Sequence, residues 1–232
     1  NEMSEENKYT TEAIVTIQKC YDYFKNKFQY FSFTGDVNNQ AEVLIVPNVK
    51  GYEFVNVKDE NFSNNAALVP PSLILIGYNN LYNSNIEVLG HEYTHGIFYY
   101  RTGESCNTLE SRALNEAYAD IMGMCIEAYY NGNISIDGYI NSNVGRNIKD
   151  SKLKYSYDEL HRNQTTEWLK DEFLGREEHY YSTIISRSAY LMSQKIELEK
   201  FEKLWFNSMK LLRQNPDFVD CYYAVMQTAK MM

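Results

Sequence analysis

The spacing of apolar residues divides the chain into a first part that mixes a helix with strands and a later part that is mostly helical. Apolar residues recur at helical spacing from Thr10 to Phe28, which predicts a helix there. The stretch AEVLIVPNVKGYEFVNV, residues 41–57, predicts two strands joined by a turn that contains Pro47 and Gly51. The stretch NNAALVPPSLILIG, residues 64–77, predicts one or two more short strands, and its prolines favour a sheet edge because proline cannot donate to a ladder.

From Ser84 onward the predicted structure is mostly helical. The sequence SNIE predicts a capping box, in which Ser84 accepts a hydrogen bond from the backbone amide of Glu87 while the Glu87 side chain reaches back. This box predicts a helix that runs to about Arg101 and stops at Gly103.

The rest of the chain contains further predicted helices. They cover residues 110–130, 151–172, 178–197, 199–213 and 217–230. The stretch 131–150 is rich in Asn, Gly and Ser, which predicts a loop. The last helix is predicted to begin with Asn215 as its cap and Pro216 in its first turn.

Composition narrows the class of protein. With 232 residues, the chain can form one large domain or two lobes around a shared cleft. Hydrophobic residues make up 44% of it, but no uninterrupted apolar run reaches the roughly 18 residues that a membrane span requires. The net charge of -9 leaves no basic surface for a phosphate backbone, so nucleic acid is not an expected partner.

The four cysteines do not form a recognisable motif. None stands in a C-x-x-C pair, which argues against a zinc ribbon or a redox motif. A scaffold held by disulfides is not expected, because a chain of this length can build its own core. The first residue is Asn rather than Met and no apolar leader follows it, so we expect a processed or trimmed chain.

The stretch VLGHEYTHGIFYY, residues 88–100, carries the candidate chemistry. On a helix, His91 and His95 are separated by a rise of about 6 Å and nearly overlie each other, so both imidazoles can point at one metal ion. Glu92 faces another direction and can reach a water in an open metal position, which makes it a candidate general base. By itself, this motif can also match by chance on an amphipathic helix.

A second predicted helix, ESRALNEAYADIMG, strengthens the metal hypothesis because it must pack back on the first. Glu116 lies 21 residues beyond His95 and can supply a third ligand. Asp120 lies one turn further along the same face and can accept the second ring proton of a ligand histidine. Two acids at this spacing repel each other unless a cation lies nearby.

HEYTH followed by NEAYAD resembles the thermolysin family of zinc endopeptidases, the neutral proteases or bacillolysins. In that family, the third ligand is a glutamate in an N-E-x-x-x-D helix. YDYFKNKF is similar to a helix of the N-terminal lobe, NNAALV to the substrate-binding edge strand, VGRNIKD to the segment with a substrate-contacting arginine, and EEHYYSTIISRSAYLM to the helix start with the catalytic histidine. These segments cover most of the chain from about residue 9 onward, in the family's order.

The resemblance implies a set of site residues and an activity, the hydrolysis of peptide bonds in a peptide or protein. It implies His91, His95 and Glu116 as zinc ligands, Glu92 as the general base and Asp120 as the acceptor behind a ligand histidine. It further implies that His179 stabilises the oxyanion and that Arg146 holds a substrate carbonyl. Asn65 and the backbone of Ala66 would pair with the substrate. Without the resemblance, the last four would be ordinary helix-start, loop, turn and strand residues. His161 remains as a surface residue.

The resemblance also implies the fold class, an α+β, two-lobed thermolysin-like architecture. The N-terminal lobe, residues 1–103, would contain a small mixed β-sheet, a helix and the HEYTH helix, and the C-terminal lobe, residues 104–232, would be mainly α-helical. The implied cofactor is Zn²⁺. Secretion and removal of a propeptide follow from the resemblance alone, and a monomer is expected.

Some positions depart from the family pattern. Only 90 residues precede His91, so the chain is predicted to be a short member without the family's β-rich opening. The family's oxyanion-stabilising tyrosine reads Cys106 or Asn107 here. The aspartate that orients the catalytic histidine reads Leu174, and three nearby acids could substitute for it: Asp171, Glu177 and Glu178.

Calcium is an open prediction. Glu87, Glu127 and Asp137 match acidic positions of the family's calcium site, whereas Ser135 and Ile140 stand where further carboxylates are expected. Because calcium takes six or more oxygens, these acids are equally well explained as surface residues.

Two alternatives to a zinc endopeptidase stay open. A degenerate homologue would keep the metal and bind peptides or a partner protein without cleaving them, as Cys106 and Leu174 indicate. Glu92 argues against this alternative, because a structural zinc needs no general base. A zinc hydrolase with a substrate other than peptide is disfavoured by the implied peptide-binding residues, Asn65, Ala66 and Arg146.

Overall fold

The computed structural model describes residues 5–49, 62–77, 82–103, 106–139, 147–149 and 174–232. The strands are β1, Leu44–Val49; β2, Ala66–Val69; and β3, Leu73–Gly77. The helices are α1, Glu5–Phe28; α2, Ile86–Thr102; α3, Leu109–Asn131; α4, Leu174–Ser193; α5, Leu198–Met209; and α6, Phe218–Met231. This order, with a small sheet in the first part and helices after it, confirms the predicted α+β class.

The three described strands form one mixed sheet in the order β1-β3-β2. β1 is parallel to β3, and β2 is antiparallel to it, so β2 lies at an edge as its flanking prolines predict. The predicted turn is wrong at Pro47, because β1 continues through this residue, whereas Gly51, its other named residue, lies outside the described residues. The ladder between β1 and β3 shifts register between Val46 and Val49, and the missing amide of Pro47 falls within that irregularity. The second predicted strand lies outside the described residues.

Two predicted helix caps are wrong by one or two residues. Asn85, not Ser84, caps α2, because its backbone is extended and its side chain accepts from the amide of Val88 at 3.0 Å. Asp217, not Asn215, caps α6, in a capping box with Asp220. The predicted end of α2 is confirmed, since Gly103 adopts the left-handed conformation with φ 71°.

The remaining predicted helices agree with the structure to within a few residues. α1 begins earlier than predicted, at Glu5. α3 ends at Asn131, where Gly132 forms the cap. The helix predicted over 151–172 lies outside the described residues. None of the described helices is both long and apolar enough to cross a membrane.

The contact between α2 and α3 determines where the candidate site forms. Both helices are largely buried, and their apolar residues belong to one hydrophobic cluster that also receives side chains from α1, α4, α5 and α6. At Gly123 the helices approach so closely that a Cβ atom would lie 2.8 Å from the carbonyl oxygen of Glu87 and 3.1 Å from the amide nitrogen of His91. The predicted division of the chain into an N-terminal lobe, residues 1–103, and a C-terminal lobe, residues 104–232, stays a prediction.

Candidate metal centre

Three side chains converge where α2 faces α3. Nε2 of His91 lies 2.9 Å from Nε2 of His95. The Glu116 carboxylate approaches both rings, with Oε2 3.4 Å from Nε2 of His91 and Oε1 3.4 Å from Nε2 of His95. One atom from each residue lies within 4.8 Å of the others; His91 and Glu116 are buried, and the His95 side chain is 11% exposed. Among the described residues, this is the only such group of three or more histidine, cysteine or acidic side chains.

The other ring nitrogens define the tautomers of both histidines. Nδ1 of His91 lies 3.0 Å from Oδ1 of Asp120, and Nδ1 of His95 lies 3.0 Å from Oδ1 of Asn115. Both partners are acceptors, so each neutral ring carries its proton on Nδ1. The two Nε2 lone pairs then face each other at 2.9 Å and repel unless a cation or a proton lies between them.

The donor set fits zinc. Zinc takes histidine nitrogen and carboxylate oxygen at about 2.0–2.2 Å in a tetrahedron, whose edges are then about 3.3–3.6 Å long. The three contacts of 2.9 to 3.4 Å approach this spacing. Three protein ligands leave the fourth position open, as in a catalytic rather than a structural zinc site.

The electrostatics of the group also favour a cation. Burial lowers the pKa of His91, but Asp120 and Glu116 outweigh it and raise that pKa to about 10. Burial opposes the charge on Glu116, yet the charges of His95, His179 and His91 hold the pKa of this carboxyl well below its usual range. Negative charge is therefore concentrated at the point where the imidazole lone pairs meet.

Glu92 lies beside this group without belonging to it. Its side chain is buried, and Oε2 accepts a hydrogen bond from the backbone amide of Leu68 at 2.7 Å. Burial raises the pKa of Glu92, and the nearby charges of His91 and His95 oppose that rise. The carboxylate thus joins α2 to β2.

His179 approaches the same group from α4. Its Nε2 lies 3.3 Å from Oε2 of Glu116, and its side chain is 40% exposed. The structure therefore brings together six of the predicted site residues, which come from the three helices α2, α3 and α4: His91, Glu92, His95, Glu116, Asp120 and His179.

The outer edge of β2 faces α2. Asn65 is exposed, and its backbone carbonyl accepts from Gly77 of β3 at 2.8 Å. Successive residues of a strand direct their backbone groups to alternate sides. The amides and carbonyls of Ala66 and Leu68 therefore point away from β3, as the contact of the Leu68 amide with Glu92 shows. The Asn65 side chain accepts from the amide of Ala66 at 3.0 Å.

One departure from the family pattern lies on the wall of a cavity of about 300 Å³ beside the group. Cys106 and Asn107 line it together with His95 and Glu116. Leu174 is the first residue of α4. Arg146, His161 and Asp171 lie outside the described residues.

Sequence reasoning missed the function of Asn115. It stands in the NEAYAD segment directly before Glu116. An asparagine there can be a simple surface residue, and only the packing of α3 on α2 brings its amide to His95.

All four cysteines are free.

Calcium stays a prediction. Burial raises the pKa of Glu127, and the charge of Asp137 raises it further. Glu87 is buried in α2 beside the crossing with α3.

Fold and donor set define a protein with a three-ligand zinc-type centre between two packed helices. Comparison with known proteins identifies the family. Residues 108–232 match the thermolysin metallopeptidase, alpha-helical domain. The chain is 31% identical over 147 residues to a zinc metalloproteinase of Listeria monocytogenes, covering 62% of this chain and 28% of the relative. It is 30% identical over 187 residues to a bacillolysin of Bacillus caldolyticus, covering 75% of this chain and 30% of the relative.

The fold has a solved counterpart. The protealysin precursor, a metalloproteinase from Serratia proteamaculans, superposes with a TM-score of 0.72 at 17% identity, covering 100% of this chain and 75% of that chain. The chain belongs to the thermolysin metallopeptidase family. This family uses zinc, and His91, His95 and Glu116 form a group that could bind it, as predicted. The chain spans less than a third of the length of the two bacterial relatives.

Proposed function

We propose that this protein is a zinc-dependent endopeptidase. One observation carries the proposal: two imidazole nitrogens and a carboxylate converge within 4.8 Å, while a buried glutamate that is not a ligand lies next to them. A purely structural metal site needs the first arrangement but not the second. Membership of a peptidase family supports a peptide or protein as the substrate.

His91, His95 and Glu116 would hold the zinc, with Asp120 and Asn115 fixing the two rings. Bound zinc would lower the pKa of a water at the open position and polarise the carbonyl of the scissile peptide. Glu92 would accept the proton of the attacking water and transfer it to the leaving amine. The hydrogen bond from the Leu68 amide fixes Oε2 of Glu92 and so orients the whole carboxylate, which leaves Oε1 to accept the proton.

His179 would stabilise the negative charge that develops on the carbonyl oxygen. Its ring lies at the border between the buried group and solvent, where it can meet a substrate without entering the ligand set. A preoriented donor at this point acts only when charge appears, so it lowers the barrier rather than tightening ground-state binding.

The outward edge of β2 would bind the substrate as an added strand. The backbone carbonyls of Ala66 and Leu68 can pair with an extended peptide on the side opposite β3, next to Glu92. Asn65 and Arg146 complete the proposed substrate contacts by resemblance to the family. Secretion and a monomeric state belong to the same proposal.

The test compares the wild-type chain with Glu92→Gln on an unstructured protein substrate with zinc, with and without a chelator. We expect the substitution to lower cleavage by about 10² to 10⁴-fold, because it removes the general base. Zinc content should be unchanged, because Glu92 is not a ligand. Cleavage that survives both chelator and substitution would rule out this mechanism.

A peptide-binding homologue without activity is the second candidate. The observation that favours it is the Cys106 and Asn107 pair on the cavity wall, where the family has a tyrosine. Binding of the same substrate without cleavage by any form of the chain would establish this candidate.

A further inference from the structure

Arg112 and Glu178 form an ion pair that connects the two helices on either side of the site. Nε of Arg112 donates to Oε2 of Glu178 at 2.5 Å. The two side chains are only 26% and 17% exposed, so solvent screens the pair less than it screens a surface salt bridge. One partner lies a turn before Glu116 on α3, and the other directly precedes His179 on α4.

Arg112 also contacts the cavity wall. Its Nη1 donates to the backbone carbonyl of Asn107 at 3.3 Å. The Asn107 amide in turn donates to Oδ1 of Asn215 at 2.7 Å. A single guanidinium therefore joins α3, the first turns of α4 and the segment that enters α3.

The place of the His179 ring depends on where the first turns of α4 lie. Its side chain is 40% exposed, so apolar packing does not by itself fix the ring. The described contact to the metal-ligand group is the 3.3 Å approach of Nε2 to Oε2 of Glu116. A small shift of the start of α4 along α3 would change this distance directly.

We propose that the Arg112–Glu178 ion pair is a positioning device that holds the start of α4 so that His179 faces the metal-ligand group. The pair acts through His179 and does not touch the substrate. This inference rests on the proposed function, in which His179 stabilises the oxyanion. It adds Arg112 and Glu178 to the site. The planar guanidinium gives their contact a fixed direction, which the flexible ammonium of a lysine at position 112 would not.

A double-substitution cycle tests the inference. The four forms are wild type, Glu178→Gln, His179→Ala and the double variant, each loaded with zinc. We expect Glu178→Gln to lower kcat by about tenfold with little change in KM, as loss of a supporting partner does. In the His179→Ala background the same change should have no further effect, because the residue through which it acts is gone.

Matched controls separate positioning from general stability. Glu199→Gln breaks an exposed helical ion pair with Lys203 and should leave kcat unchanged. Arg112→Lys keeps the charge but not the fork, so its kcat should lie between wild type and Glu178→Gln. Thermal unfolding of each variant identifies those that fold. If Glu178→Gln fails to fold, the cycle is run with Arg112→Lys.

A structural measurement gives a result independent of activity. In a crystal structure of Glu178→Gln, the distance from Nε2 of His179 to Oε2 of Glu116 should exceed that of the wild type determined in the same way. An unchanged distance, or an equal loss of kcat in both backgrounds, would overturn the inference. If wild type cleaves nothing, the proposed function fails, while the distance still decides whether the ion pair positions the ring.

Discussion

At the scale of single residues, the candidate metal centre depends on side chains outside the proposed ligand set. Oδ1 of Asp120 and Oδ1 of Asn115 each lie 3.0 Å from Nδ1 of one ring, which directs both Nε2 lone pairs to one point. The two partners differ in charge, since one is a carboxylate and the other an amide. His91 therefore faces a stronger acceptor than His95, and this asymmetry contributes to its raised pKa.

Substitution of Asn115 tests the neutral partner. Asn115→Ala should weaken zinc binding by about 10 to 100-fold, because the His95 ring loses the acceptor that fixes its tautomer and orientation. Competition with a chromogenic chelator measures the affinity. Asn38→Ala, at an exposed loop position, should bind zinc like wild type. An unchanged affinity in Asn115→Ala would show that the amide does not support the ring.

The cysteines give a second prediction at this scale. Burial raises the pKa of the Cys106 thiol from 9.0 to about 11, so at pH 8 its thiolate fraction is about 0.1% instead of about 9%. Its alkylation should be about 100-fold slower than that of a free thiol and should rise with pH toward 11. Mass spectrometry after iodoacetamide treatment measures the rate, and unfolded protein should show four reactive thiols. Fast labelling of Cys106 at pH 8 would contradict this pKa.

At the scale of elements, the crossing of α2 and α3 is the critical feature. Two glycines permit it, but they differ in what an added methyl group would meet. At Gly123 the nearest atoms are backbone, namely Glu87 O and His91 N, which cannot move without moving α2. At Gly90 the nearest atom is the tip of Ile126, at 2.9 Å, and a side-chain tip can rotate away.

The two glycines should therefore respond differently to alanine. Gly123→Ala should destabilise the fold, because overpacking strain of about 1–3 kcal/mol exceeds the helix-propensity gain of about 1 kcal/mol. It should also weaken zinc binding, since His91 moves relative to Glu116. Gly90→Ala should be close to neutral. Urea unfolding and a zinc titration measure both effects, and equal stability of the two variants would show that the crossing is not tight.

At the scale of the whole molecule, a bound metal would connect α2 to α3. His91 and His95 belong to α2, whereas Glu116 belongs to α3. A ligand that binds only the folded state stabilises it in proportion to the logarithm of its concentration. Separation of the helices would destroy the ligand group, so metal binding and folding are linked.

Removal of zinc should therefore lower the melting temperature. With zinc at 100 times its Kd the stabilisation is about 2.7 kcal/mol, which corresponds to about 5 to 10 °C for a chain of this size. Scanning calorimetry with and without chelator measures the shift. His95→Ala should show little response to the chelator, and an equal response in that variant would place the effect elsewhere.

Much of the fold could be predicted from the sequence, because helix periodicity is a local property. α1, α2 and α3 follow their apolar spacing, and Gly103 ends α2 as expected. The errors occur where two local solutions compete. Ser84 and Asn85 are both good caps, and the backbone conformation at Asn85 decides between them. Pro47 indicates a turn, but a parallel strand with an irregular register accommodates it.

By itself, the sequence determined the pairing of His91 with His95, because a helical repeat brings residues four apart onto one face. It also determined that Glu92 points elsewhere. Only the tertiary structure decided which distant groups reach this face. Glu116 and Asn115 arrive through the α2–α3 crossing, and His179 arrives with α4, beside the Arg112–Glu178 ion pair. Such contacts depend on how whole elements pack, and no local spacing in the chain encodes a distance between two helices.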